Sequence, residues 1–172
     1  MFSAKAQKNN TIWSKITKEN ISNAEKIERK SQPSKATFYQ LDIAKLKTQL
    51  VNAPLRGASN IVSNVIIDFP NSDGTIESYR VKEAPVMALE LQAKHPDIRS
   101  YVGQSIDNPW SIIRFSVTSK GLHTMTLSGK LGTQYIDPFT KDTKSYIAYS
   151  KKNLQRLNDS FVCGFDHHCR GL

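Results

Sequence analysis

The residues best suited to chemistry lie together near the C-terminus. Cys163, His167, His168 and Cys169 fall within one seven-residue stretch. Thiolates and imidazoles are ligands that zinc favours, and four of them can complete a tetrahedral site. Structural zinc sites usually draw ligand pairs from two separated segments, however, so a site within this stretch would be sterically strained. A disulfide between Cys163 and Cys169, or two free thiols in a flexible tail, are the alternatives that the residues leave open.

The rest of the sequence lacks the motifs of common catalytic sites. No H-E-x-x-H zinc helix, nucleophile elbow, phosphate-binding loop or dinucleotide fingerprint occurs in it. His95 precedes a proline and His123 lies in a predicted strand, while Asp107, Asp137 and Asp142 occur in turn sequences, where aspartate commonly bends or caps the backbone. We therefore expect that the chain is not an enzyme by itself and binds no cofactor alone.

Charge and hydropathy limit the classes of partner. The chain has 24 Lys and Arg against 15 Asp and Glu, which gives a formal charge of +9. These basic residues are dispersed, with only 26–30 and 151–152 approaching clusters, so we expect no nucleic acid partner. No apolar run approaches the roughly 18 residues of a membrane-spanning helix. We expect a monomer that does not enter a membrane and whose basic surface is solvated or complements an acidic partner.

The longest organised stretch, residues 100–152, predicts an antiparallel meander. β-Branched and aromatic residues alternate with polar ones between turn sequences at 119–121, 128–132 and 137–142. The predicted strands are 112–117, 122–127, 133–136 and 145–149. A sheet of this kind must bury one face.

The segments before the meander predict further strands and two helices. Residues 64–69 and 75–81 form a hairpin around Asp73 and Gly74, and 37–41 and 98–103 are additional strands. Asp42 is a suitable N-cap for a helix over 43–50, and 89–94 is a second short helix. We predict a mainly β or α+β fold, in which a sandwich-like or curled antiparallel sheet carries one or two short helices.

Composition divides the chain into four segments. They are the remnant of a signal peptide (1–7), a basic leader arm (8–35), a β domain (36–152) and a flexible tail with the Cys and His residues (153–172). The signal peptide is inferred from Ala4-Lys5-Ala6, which has the small-x-small form of a signal-peptidase site. It predicts a secreted or periplasmic protein; an ordinary N-terminus is the alternative.

Several turn and strand sequences carry a family resemblance. They extend over about 13–152 and comprise 34–42, 46–50 with Ala53-Pro54, 64–70 with Asp73-Gly74, 100–104, and 135–138 with Tyr146. Together they resemble the propeptide, or prodomain, of secreted bacterial reprolysin-like zinc metallopeptidases, which are metzincins. These motifs determine turns and strands and include no catalytic residue.

The resemblance implies an N-terminal prodomain that acts as an intramolecular inhibitor and folding aid. Its partner would be the cognate metallopeptidase catalytic domain, which holds the zinc. Cys163 would then offer a thiolate that blocks this zinc, while His167, His168 and Cys169 stay weaker metal-ligand candidates on their residue types alone. A different class of function is a stand-alone secreted β-sandwich module that binds an acidic partner or polymer.

Overall fold

A computed structural model describes residues 11–21, 24–29, 31–57 and 62–154. Within them, nine strands form one antiparallel sheet in the order β1-β2-β9-β8-β7-β6-β5-β4-β3. The strands are β1 Trp13–Ile16, β2 Thr37–Leu41, β3 Ile66–Pro70, β4 Ile76–Glu83, β5 Arg99–Ser105, β6 Ser111–Thr118, β7 Gly121–Ser128, β8 Gly132–Pro138 and β9 Ser145–Ser150. The helices are α1 Ile43–Leu50 and α2 Leu89–Lys94. The predicted mainly β fold with short helices is confirmed, and the sheet is curled and single.

Strands β5 to β9 are the predicted meander. Each pairs with the next one in antiparallel register. Gly121 begins β7 after a tight turn and has a φ of 102°, which glycine adopts without a steric penalty. A Cβ built there would lie 2.9 Å from both the Pro138 ring and the Tyr146 hydroxyl. This position therefore requires glycine for both its backbone and its packing.

The sheet curls until its two edge strands approach each other. Trp13 of β1 is 4% exposed, and its Nε1 donates a 2.8 Å hydrogen bond to the carbonyl oxygen of Asp68 in β3. The indole also lies 6.3 Å from the Phe69 ring. Residues 13–16 belong to the predicted leader arm, so the arm supplies a strand to the sheet. This strand brings the sheet close to closure.

Different elements close the two ends of the curled sheet. At the α1 end, Asp42 caps the helix by accepting a 2.9 Å hydrogen bond from the Lys45 amide, and Leu46 and Leu50 are buried in the core. At the opposite end, which we call the turn end, the β3–β4 turn folds over the interior. There the Ser72 amide donates a 2.7 Å hydrogen bond to Oε1 of the buried Gln134.

The chain before β2 forms a strap, residues 24–29 and 31–36, over the outer face of β9. Isolated bridges pair Lys26 with Thr140 and Pro33 with Leu154, so the strap is held at both ends. All six residues of β9 are buried, because the core covers one face and the strap contributes to covering the other. This explains why the four central residues of β9, Tyr146–Tyr149, are all apolar and buried, whereas burial alternates along β6 and β7.

Candidate functional site

The predicted zinc-blocking residue and the weaker candidates lie outside the described residues. They are Cys163, His167, His168 and Cys169, and all belong to 155–172. Within the described ranges, no group of three or more His, Cys, Asp or Glu side chains is arranged to hold a metal ion. The described fold instead offers polar clusters, clefts and exposed apolar surfaces.

Among the described residues, a cluster of four ionisable side chains, which we call the anchor cluster, joins the strap to the outer face of the sheet. Asp137 of β8 lies 3.0 Å from His123 Nδ1 and accepts a 2.7 Å hydrogen bond from the Tyr149 hydroxyl. Arg29 of the strap lies 3.6 Å from the same carboxylate and stacks 5.5 Å from the Tyr149 ring. These contacts fasten Arg29 to β8 and β9, so the cluster stabilises the covered face.

The pKa shifts in this cluster follow from its geometry. Burial alone would raise the pKa of Asp137, but hydrogen bonds from His123 and Tyr149 and the Arg29 charge hold it below the usual value. Burial and the neighbouring carboxylate raise the pKa of Tyr149 to about 12. Asp137 is thus ionised and Tyr149 is a neutral hydrogen-bond donor at neutral pH. In these protonation states, both side chains stabilise the contact between the strap and the sheet.

The other candidates from the sequence have local roles. His95 follows the last residue of α2, and its amide donates to the carbonyl of Leu91 at 3.1 Å. Asp142 accepts a 3.1 Å hydrogen bond from the Lys144 amide in the turn before β9. Asp107 lies in the loop between β5 and β6, where it lines a cleft at the turn end of the sheet. Of the candidates from the sequence, His123 and Asp137 are brought together.

A polar cleft of about 820 Å³ opens at the turn end. It lies between the β3–β4 turn, the β5–β6 loop and the β7–β8 turn. Glu77 points inward from β4 and accepts hydrogen bonds from the Tyr79 hydroxyl at 2.8 Å and from Asn71 Nδ2 at 3.3 Å. Burial opposes ionisation of Glu77, yet its hydrogen bonds lower its pKa. Burial raises the pKa of Tyr79. Glu77 is therefore an ionised residue whose carboxylate is hydrogen-bonded within the fold. The sequence does not single it out, because it is one of several polar residues in an alternating strand.

An exposed apolar patch lies beside this cleft. It consists of Trp110, Ile112, Met125 and Leu127, which are 79%, 40%, 36% and 48% exposed. Ile112 and Leu127 are directly paired across β6 and β7, so both point to the outer face. The Trp110 carbonyl accepts a 3.1 Å hydrogen bond from the amide of Gly129, which holds its loop against the β7–β8 turn. Exposed apolar side chains grouped in this way are typical of interaction surfaces.

The last described residues of the chain lie at the turn end of the sheet, where the apolar patch also lies. Leu154, the last described residue, pairs with Pro33 just beyond β9. Lys152 lies near the β7–β8 turn, since a Cβ built on Gly132 would be 3.8 Å from its Cε. Cys163 follows nine residues after Leu154. A segment of this length spans at most about 30 Å when fully extended.

Comparisons with protein-family models, with curated proteins and with solved structures find no match to this chain. In the described part of the chain, no helix has both the length and the apolar character needed to cross a bilayer.

Proposed function

We propose that the chain is the N-terminal prodomain, or a fragment, of a secreted zinc metallopeptidase, and that it inhibits the catalytic domain and assists its folding. The observation that carries the proposal is the position of the apolar patch at the end of the sheet where the chain continues toward Cys163. The patch would dock on the catalytic domain, and the tail would extend from the docked sheet to the zinc.

The apolar patch supports the docking step. Isolated apolar residues are common on protein surfaces, but Trp110 and the Ile112–Leu127 pair occupy one end of the outer face. Trp residues in such positions often contribute most to the binding energy of an interface. The rigid, hydrogen-bonded meander beneath them would present the patch with little loss of conformational entropy on binding.

The chemistry of Cys163 and its place in the sequence support the inhibitory step. A zinc ion that activates water keeps one coordination position for that water, and a thiolate in this position prevents the activation. Zinc binding also favours the thiolate over the thiol, so the catalytic domain itself would promote ionisation of Cys163. The span of about 30 Å from Leu154 is enough to reach from a docked sheet into an adjacent cleft.

Inhibition in trans tests the proposal. The purified chain is titrated into a reprolysin-like catalytic domain from the same organism while hydrolysis of a peptide substrate is followed. We expect inhibition at micromolar concentration and weaker inhibition by Cys163→Ser. Absence of inhibition by the wild-type chain, with Cys163→Ser behaving identically, would refute the proposal.

A matched pair of surface variants tests the docking face separately. Leu127 in the patch and Ile66 on the edge strand β3 are 48% and 43% exposed. We expect Leu127→Ser to raise the inhibition constant about tenfold, as the loss of an interface anchor does, and Ile66→Ser to leave it unchanged. Equal effects of the two substitutions would contradict docking through the patch.

A further inference from the structure

A second cavity, of about 350 Å³, lies between the strap and the outer face of the sheet. We call it the strap pocket. Its floor is apolar and consists of Phe38, Phe139 and Ile147, with the two phenylalanine rings 5.0 Å apart in an edge-to-face arrangement. The volume is within the range of small-molecule sites, about 300–1,000 Å³. In the sheet, β8 separates the pocket, which lies on β2 and β9, from the apolar patch on β6 and β7, and the proposed function does not use the pocket.

Cationic side chains line the rim of the strap pocket. Lys18, Lys26 and Arg29 all border it, and no acidic residue is among the described residues of its lining. Two acidic residues of the strap, Glu25 and Glu28, are not among these lining residues, and Glu25 lies 2.7 Å from Lys141 Nζ in an ion pair. Asp137 compensates the charge of Arg29, whereas Lys18 and Lys26 have no ion-pair partner in the described part of the chain, so the potential at their side of the rim favours an anion.

The cations differ in their freedom to bind a ligand. Arg29 Nη2 donates to the Pro138 carbonyl at 3.2 Å, and its Nε is buried without a hydrogen-bond partner among the described residues. Lys26 Nζ lies 6.0 Å from the centre of the Phe139 ring and has no carboxylate partner within the described ranges. Lys26 can thus move toward a ligand while still covering the apolar floor.

We propose that the strap pocket binds a carboxylate attached to a short apolar body. The apolar body would rest on Phe38, Phe139 and Ile147, and the carboxylate would face Lys26 and Lys18 at the rim. Burial of the body would supply most of the affinity, and the charge would supply the selectivity. Both a free aliphatic acid and the C-terminal residue of a peptide have this chemistry.

The test follows the methyl resonances of Ile147 by NMR while octanoate is added to the full chain. We expect saturable shifts of Ile147 and none of Ile66, with octanamide binding at least about fivefold more weakly because it lacks the charge. N-acetylleucine, which mimics a peptide terminus, forms the second arm. The tighter of the two acids identifies the source of the ligand.

Two lysine variants provide the control. Lys26→Gln should weaken octanoate binding about threefold, whereas Lys120→Gln, at an exposed position in the β6–β7 turn, should not change it. The proposal would be overturned if neither acid shifts Ile147 at millimolar concentration. Equal affinity for octanoate and octanamide, or equal weakening by the two lysine variants, would also overturn it.

Discussion

Replacement of Trp13 tests the closure of the sheet. The indole is 4% exposed and stands in edge-to-face contact with Tyr39 and Tyr146, at 6.1 and 5.7 Å. Its Nε1 also joins β1 to the Asp68 carbonyl of β3. A truncation at this position therefore removes packing from the core and a hydrogen bond between the two edge strands.

The expected loss of stability follows from these two contributions. Truncation of a buried aromatic residue to alanine costs about 3–5 kcal/mol, and a lost hydrogen bond adds about 1 kcal/mol. We expect Trp13→Ala to lower the free energy of unfolding by roughly 4–6 kcal/mol. Trp13→Phe keeps a ring but leaves the Asp68 carbonyl without its donor, so its cost should be about 1–3 kcal/mol.

Urea denaturation of the variants measures these losses, and Trp110 provides the matched control. Because Trp110 is 79% exposed, Trp110→Ala should change the free energy of unfolding by no more than about 0.5 kcal/mol. The urea midpoint of unfolding should be highest for Trp110→Ala, lower for Trp13→Phe and lowest for Trp13→Ala. If Trp13→Ala is as stable as Trp110→Ala, the indole does not hold β1 against β3 and the sheet is not closed in this way.

Three further substitutions test the interior and the anchor cluster. Gly103→Ala places a Cβ 2.8 Å from Ile113 Cγ2 and should cost about 1–3 kcal/mol in urea denaturation. Tyr146→Phe leaves a buried backbone N–H without its acceptor and should cost about 1–3 kcal/mol in the same measurement. The pKa of Asp137 is lowered from 3.8 in the folded state, so its stabilising contribution is present above that pH and is lost as the pH falls toward the folded-state pKa. Asp137→Asn should therefore reduce the loss of stability in acid, as seen in urea midpoints between about pH 5 and pH 2.

Each of these substitutions has a distinct contradictory result. Unchanged stability of Gly103→Ala would show that β5 and β6 are not packed as closely as described. Tyr135→Phe, at a half-buried position, should have a smaller effect than Tyr146→Phe, and the reverse order would contradict the proposed role of the buried hydroxyl. An unaltered acid profile of Asp137→Asn would show that the anchor cluster does not bind this carboxylate in its ionised form.

Local sequence signals were sufficient to predict most of the elements. Asp42 as a cap and Leu46 and Leu50 as an apolar stripe define α1, and all three have the predicted roles. The Asp73-Gly74 turn is also present, and of these two residues Gly74 has a positive φ, of 94°. Such features are encoded within a few residues, so they are recognisable without the rest of the fold.

Long-range pairing and the outer surface were not predictable in the same way. Nothing near Trp13 identifies Asp68, which is 55 positions away, as its partner. In β6, Ile112 and Ile113 are identical in type, yet Ile112 is 40% exposed and Ile113 is fully buried. Alternation indicates that the two point to opposite faces, but the curl of the whole sheet decides which face is the core. The curl therefore also decides which face of the sheet the strap covers and which side chains form the apolar patch.

Spectroscopy of a cobalt-substituted catalytic domain tests the central claim most directly. Cobalt takes the place of zinc, and a thiolate ligand to cobalt produces a charge-transfer absorption in the near ultraviolet. We expect this absorption to appear, together with inhibition, when the wild-type chain is added, and to be absent with Cys163→Ser. The wild-type chain leaving both the spectrum and the peptidase activity unchanged would contradict the proposed inhibitory prodomain.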